Sequence, residues 1–249
     1  MRRPPYGRAR LLHMKLVSVV QHTSAEYLGL IEDHLEGRGI RFQYFRPFTE
    51  GGKLPDPDTI RDGLVLLSGG VWGAAGTRDI PTLKQEIKLA HTALMFGSPV
   101  IGIGLGAQIL AIAAGGRSAA TRLAFEVTTA RRVDATALNG YLPAEFPLAV
   151  YMRDWPVPPA HAKVLAEDYQ GRPALWQIGD SAFGFAGHPG FKVAMVEDLI
   201  MEFAEAPEDA GPELAKLRSA HRALEDALVP IMTGIVQLTG WMQPRETSG

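Results

Sequence analysis

The stretch Pro99-Val-Ile-Gly-Ile-Gly-Leu-Gly-Ala-Gln-Ile-Leu-Ala-Ile-Ala-Ala-Gly-Gly116 limits the choice of fold more than any other. Val100 to Ile103 is a short apolar run of the kind carried by a strand buried on both faces. Gly102, Gly104 and Gly106 crowd a sharp turn, Leu105 to Ala114 is a good helix run, and Gly115-Gly116 closes it. A strand, a tight turn and a helix in that order form an elbow. Such an elbow holds one residue out over the C-terminal end of a parallel sheet in a strained backbone conformation. The position that should carry a reactive side chain is 104, and it is glycine.

The rest of the chain supplies the sheet. Leu16 to Val20, Ile40 to Phe45 and Leu64 to Leu67 read as strands. Ser24 to Glu36 and Pro81 to Phe96 read as helices between them. That rhythm predicts right-handed crossovers and a three-layer α/β domain, a mostly parallel central sheet with helices on both faces. After Gly116 the pattern becomes short strands, at 125–133, 148–152, 163–166, 174–178 and 182–186, divided by Gly, Pro and Asp. These predict antiparallel hairpins, the last returning to the main sheet, followed by a helix over 193–204. Leu214, Leu217, His221, Leu224 and Leu228 form a helical stripe, Pro230 should break or kink it, and 231–241 is strongly apolar. The expected organisation is a disordered basic lead-in over 1–14, a main domain over 15–208 and a helical extension over 209–249. The segment 212–242 is a candidate homodimer surface if it does not pack on the main domain.

Two motifs carry a family resemblance. Pro99-Val-Ile-Gly-Ile-Gly-Leu-Gly-Ala-Gln108 resembles the nucleophile elbow of the class I glutamine amidotransferase domain, the glutaminase module of GMP synthetase. Gly187-His188-Pro189-Gly190 resembles that family's His-Pro-Glu motif. The resemblance covers about residues 15–205 and implies the class I glutamine amidotransferase-like, flavodoxin-like fold. It also implies a site. Gly104 stands where the family has its nucleophilic cysteine, His188 where it has the proton-shuttling histidine, and Gly190 where it has the glutamate that orients the histidine. The oxyanion-hole donors map to backbone N–H groups of Gly69, Gly70 and Leu105. Gln108 matches the elbow-helix glutamine that contacts substrate, and is otherwise an ordinary helix residue. Asp154, in Met152-Arg153-Asp154, resembles the family's His-x-Asp loop, and is otherwise a loop aspartate bonding backbone. Trp72 either roofs the pocket or packs in its loop.

The chemistry follows from what is missing. The chain contains no cysteine, which excludes disulfides, thiolate metal sites and every cysteine mechanism. Glycine at 104 offers no lone pair to attack an amide. The expected function is therefore a glutamine amidotransferase-like pseudoenzyme, a ligand-binding, regulatory or scaffolding subunit. Its expected partners are a small amino-acid-like ligand and a synthetase or other protein subunit. The alternative is hydrolysis of an amide or ester without cysteine, with His188 activating water. The hydroxyls of Ser68, Thr77 and Ser98 sit in no elbow. The histidines show no metal-ligand spacing, so neither metal nor cofactor is expected, and Gly102-x-Gly104-x-Gly106 lacks the dinucleotide spacing. With 25 Lys+Arg against 27 Asp+Glu, nothing predicts nucleic acid or an acidic membrane as partner. No apolar run is long enough to span a bilayer, so the default location is the cytoplasm.

Overall fold

The computed structural model describes residues 15–208 and 210–243. The lead-in expected over 1–14 lies outside the described residues, as do 209 and 244–249. The elements run β1 (Leu16–Val20), α1 (Leu30–Glu36), β2 (Arg41–Phe45), β3 (Leu64–Leu66), α2 (Leu83–Met95), β4 (Val100–Ile103) and α3 (Leu105–Ala113). There follow β5 (Arg117–Ala119), β6 (Ala124–Arg132), β7 (Glu145–Met152), β8 (Trp155–Val157), β9 (Lys163–Glu167), β10 (Pro173–Ile178) and β11 (Ala182–Phe185). Two helices, α4 (Val193–Glu202) and α5 (Ala210–Leu238), finish the chain.

Nine strands form one sheet in the order β2-β1-β3-β4-β11-β10-β9-β6-β7. The first five are parallel and the last four antiparallel. Side chains alternate across this sheet. Val65 and Leu67 enter the core shared with α1 and α5, whereas Leu64 and Leu66 enter the core shared with α2 and α3. The result is the three-layer α/β architecture that the alternating pattern predicts. The hairpins do extend the main sheet, and β11 returns beside β4 with Ile103 opposite Phe185. This pairing brings the 187–190 loop next to the elbow.

Two local expectations are corrected, and one small ribbon is added. The helix expected from Ser24 begins only at Leu30. Gly29, at φ 62°, interrupts it, and the N–H groups of Ser24 and Ala25 turn to the Glu202 carboxylate on α4. Pro230 does not end α5, which runs through it. Its missing N–H removes one helical hydrogen bond, but buried Leu228, Ile231 and Met232 on either side hold the helix to the sheet. The strands β5 and β8, which pair as a small separate ribbon, are three residues each and too short to show a period.

The tail is a layer of the fold. Leu228, Ile231, Ile235 and Val236 are buried in the same core as Val17, Val65 and Ile101. Trp241 packs on Gly63 and donates its indole N–H to the Asp62 carbonyl at 2.8 Å. The apolar stripe that made 212–242 a candidate dimer surface is thus covered within the chain. Replacing Ile235 by alanine should cost about 2–5 kcal/mol in urea unfolding. A change below about 0.5 kcal/mol, the usual limit for surface substitutions, would mark α5 as a detachable arm.

Candidate functional site

Gly104 keeps the conformation of an elbow although it carries no side chain. Its φ of 55° and ψ of −112° lie where an L-residue is strained. Its N–H donates to the Phe185 carbonyl, and the next turn is fixed by Gly106 N–H to the Leu67 carbonyl. A Cβ built at 104 would have Ser68 Oγ, 2.8 Å away, as its nearest neighbour. The Ser68 hydroxyl, in the loop after β3, therefore crowds the place where a side chain at 104 would begin. Both Ser68 and Gly104 are buried.

His188 lies on the loop after β11, buried and stacked on Phe191. Its Nε2 is 2.8 Å from the Tyr27 carbonyl, which can only accept, so Nε2 carries the proton. Its Nδ1 accepts the Gly190 N–H at 3.1 Å. Burial pulls the imidazolium down to about 4, so the ring is neutral at pH 7 and its single lone pair is engaged. A water or hydroxyl has no free nitrogen there to take its proton. The gap between this loop and the α5 residues Leu224, Leu228 and Ile231 is about 10 Å3, room for no more than one water.

Gly190 has no space for a glutamate. A Cβ there would meet Ile31 Cγ1 and the Leu28 carbonyl, each at 2.9 Å. Its own carbonyl accepts the Leu30 N–H, tying the loop to the start of α1.

The turn that maps to the oxyanion hole is occupied from within. Gly70, at φ 54°, donates its N–H to Glu26 Oε2 at 2.5 Å. Gly69 is pressed against the Leu105 side chain, and Leu105 opens α3 fully buried. Glu26 is wholly buried, and its Oε1 has no hydrogen-bond partner. Burial pushes its carboxyl up to about 8, against the opposing pull of the Gly70 N–H and His22. The side chain is thus mainly neutral at pH 7. Tyr151 OH, also buried and unpartnered, is held far above its ordinary range by burial and then by the nearby Glu26 charge. Sequence reasoning missed Glu26 because it placed the residue on a helix, where an acidic side chain carries no signal.

The other two mapped residues connect loops. Gln108 Nε2 donates to the Arg153 carbonyl at 2.7 Å, and its Oε1 accepts from Ser118 Oγ at 3.0 Å. Asp154, at φ 63° and fully buried, accepts the N–H groups of Ala74 and Ala75 through Oδ2 and that of Thr121 through Oδ1. Asp154 thereby joins the loop after β3 to the loop after β5. Trp72 sits in the first of these loops under the Arg78 guanidinium.

A second buried pair lies at the end of β1. His22 Nε2 is 2.7 Å from Glu86 Oε2, and Nδ1 is 3.0 Å from the Ser68 carbonyl. Burial alone would lower the His22 pKa, but the Glu86 carboxylate outweighs it and the net shift is upward. Glu86 is held below the usual carboxylate range, His22 outweighing its own burial. Among the described residues, no group of three or more His, Cys, Asp or Glu is placed to hold a metal ion. No helix among them is long and apolar enough to cross a membrane.

The comparisons agree on the fold. A glutamine amidotransferase from Methylobacillus flagellatus matches with a TM-score of 0.77 at 21% identity, covering 95% of this chain and 98% of that one. A glutamine amidotransferase from Thermotoga maritima matches with a TM-score of 0.74 at 22% identity, covering 91% and 99%. A Thermoplasma acidophilum protein assigned to GMP synthase reaches 0.53 at 16% identity, covering 84% and 98%. No protein-family model and no curated protein matches the sequence. The chain has the class I glutamine amidotransferase-like, flavodoxin-like fold.

The Glu26 geometry fixes a pH dependence. A carboxyl whose folded pKa is raised to about 8 binds its proton more tightly folded than unfolded. Its stabilising contribution is complete below about pH 4.5 and is lost as pH rises through 8. In thermal melts, the wild type should lose stability relative to Glu26→Gln between about pH 5 and 8, by at most about 1.4 kcal/mol per unit. Parallel pH profiles for the two proteins would contradict this assignment.

Proposed function

We propose that this protein is a glutamine amidotransferase-fold subunit without glutaminase chemistry, working by binding and scaffolding. The observation that carries the reading is the state of His188: the lone pair a general base would use accepts the Gly190 N–H. With only hydrogen at 104, the Ser68 hydroxyl is the nearest side-chain group to that position, and His188 has no free lone pair to activate it. In this reading Gly69, Gly70 and Leu105 retain the shape of a carbonyl-binding turn, and the Glu26 carboxyl stands in the ligand's place. Gln108 and Asp154 serve as loop ties rather than substrate contacts.

A protein partner suits this state better than an amino-acid ligand at the elbow, because the elbow is filled by the chain itself. The likeness to a protein assigned to GMP synthase supports a synthetase-type partner, one that takes ammonia directly. The docking face would lie away from 212–242, whose apolar stripe packs inward. Location in the cytoplasm belongs to the same proposal.

Glutamate release from glutamine should not exceed buffer for the purified protein. It should stay at that level in Gly104→Cys, because the new side chain would meet Ser68 and find no free imidazole nitrogen. Turnover by the wild type, or recovery of turnover of order 1 s⁻¹ in the cysteine variant, would overturn the reading.

A further inference from the structure

The order β2-β1-β3-β4 contains a reversal. From β1 the chain moves outward through α1 to β2, then crosses back to β3 on the other side of β1. The helices α1 and α2 pack on opposite faces, so the sheet's switch point lies between β1 and β3, with His22–Ser68 and Glu26–Gly70 hydrogen bonds closing its inner end. Open α/β sheets bind ligands in the crevice at such a switch point. The elbow lies elsewhere, at the end of β4, so the glutaminase comparison leaves this crevice unassigned.

The crevice is built as a cavity of about 330 Å3, within the range of small-molecule sites. Its walls include His22 after β1, Phe48 after β2, Trp72 after β3, and Ile80, Pro81 and Thr82 leading into α2. Phe48 is 43% exposed, a large aromatic ring left in water at the edge of an apolar hollow. The Arg78 guanidinium lies over the Trp72 ring, 5.1 Å from its centroid.

The polar groups narrow the ligand class. Both nitrogens of His22 point inward, to Ser68 and Glu86, and its side chain is fully buried, so it backs the cavity without offering a ligand a contact. Thr82 Oγ1 donates to Glu86 Oε1 at 2.5 Å, which leaves its lone pairs as acceptors. A phosphate or carboxylate would find no free donor on either residue. A flat ring would find two aromatic walls, Phe48 and Trp72. A buried ion pair such as His22–Glu86 is a poor source of stability, which fits a role in shaping the cavity floor.

We propose that this crevice is a ligand site, taking a flat heteroaromatic ring of the indole or purine kind. The ring lies against Trp72 and Phe48, and its N–H donates to Thr82 Oγ1. None of these residues belongs to the elbow, so the site stands or falls independently of glutaminase chemistry.

The test is saturation-transfer NMR on the full chain with indole at millimolar concentration, beside octahydroindol-2-one, a saturated bicycle of similar size that keeps a neutral N–H. Indole should receive saturation and octahydroindol-2-one little. Trp72→Ala and Phe48→Ala should each weaken indole binding about tenfold. Phe48 is partly exposed, so its replacement leaves the fold in place should Trp72→Ala not fold. The proposal is overturned if wild type transfers no saturation to indole, if Phe48→Ala binds it as well as wild type, or if octahydroindol-2-one binds equally.

Discussion

The approach of the β1–α1 segment to Gly190 governs the state of the site. Because residue 190 has no side chain, the Leu28 carbonyl and Ile31 lie against its Cα, and the Leu30 N–H bonds its carbonyl. The same segment then supplies two more contacts. The Tyr27 carbonyl takes the Nε2 proton of His188, and the Glu26 carboxyl takes the Gly70 N–H. One small residue thus admits a loop that fills the orienting position, locks the imidazole and plugs the backbone donor turn. The absence of a side chain at 104 is a separate feature of the sequence. In space it belongs to the same closed arrangement, with Ser68 packed into the gap.

The closure has a physical logic. Backbone donors and a buried imidazole left without partners would each cost about 1–3 kcal/mol. The segment satisfies them from inside the chain and is itself anchored by Glu202 on α4. What remains unsatisfied is instructive. Glu26 Oε1 and Tyr151 OH are both buried without partners, and the neutral form of Glu26 is how the fold tolerates one of them.

Much of the architecture could be read in advance, and the reasons are local. The run Val100–Ile103 followed by Gly104 and the α3 residues determines strand, elbow and helix almost by itself, and alternation at 64–67 places the two cores. The ends of helices were less legible. The Ser24 N-cap signal was overridden by Gly29 and by the tertiary bonds to Glu202, and Pro230 was overridden by burial on both sides. In the site, position mattered more than residue type. His188 and the glycines at 104 and 190 were legible as a motif. The engagement of both His188 nitrogens, and the presence of Glu26 beside Gly70, depend on a loop that carries no pattern. The pair His22–Glu86 joins residues 64 apart in sequence and left no spacing to notice.

The most direct measurement is the 15N chemical shift of the His188 ring nitrogens between pH 5 and 8. A closed site requires a neutral ring throughout, with the proton on Nε2 and Nδ1 unprotonated, and no titration in that range. A ring that titrates near 6.5, or that carries its proton on Nδ1, would show an imidazole free of Tyr27 and Gly190 and would contradict the account.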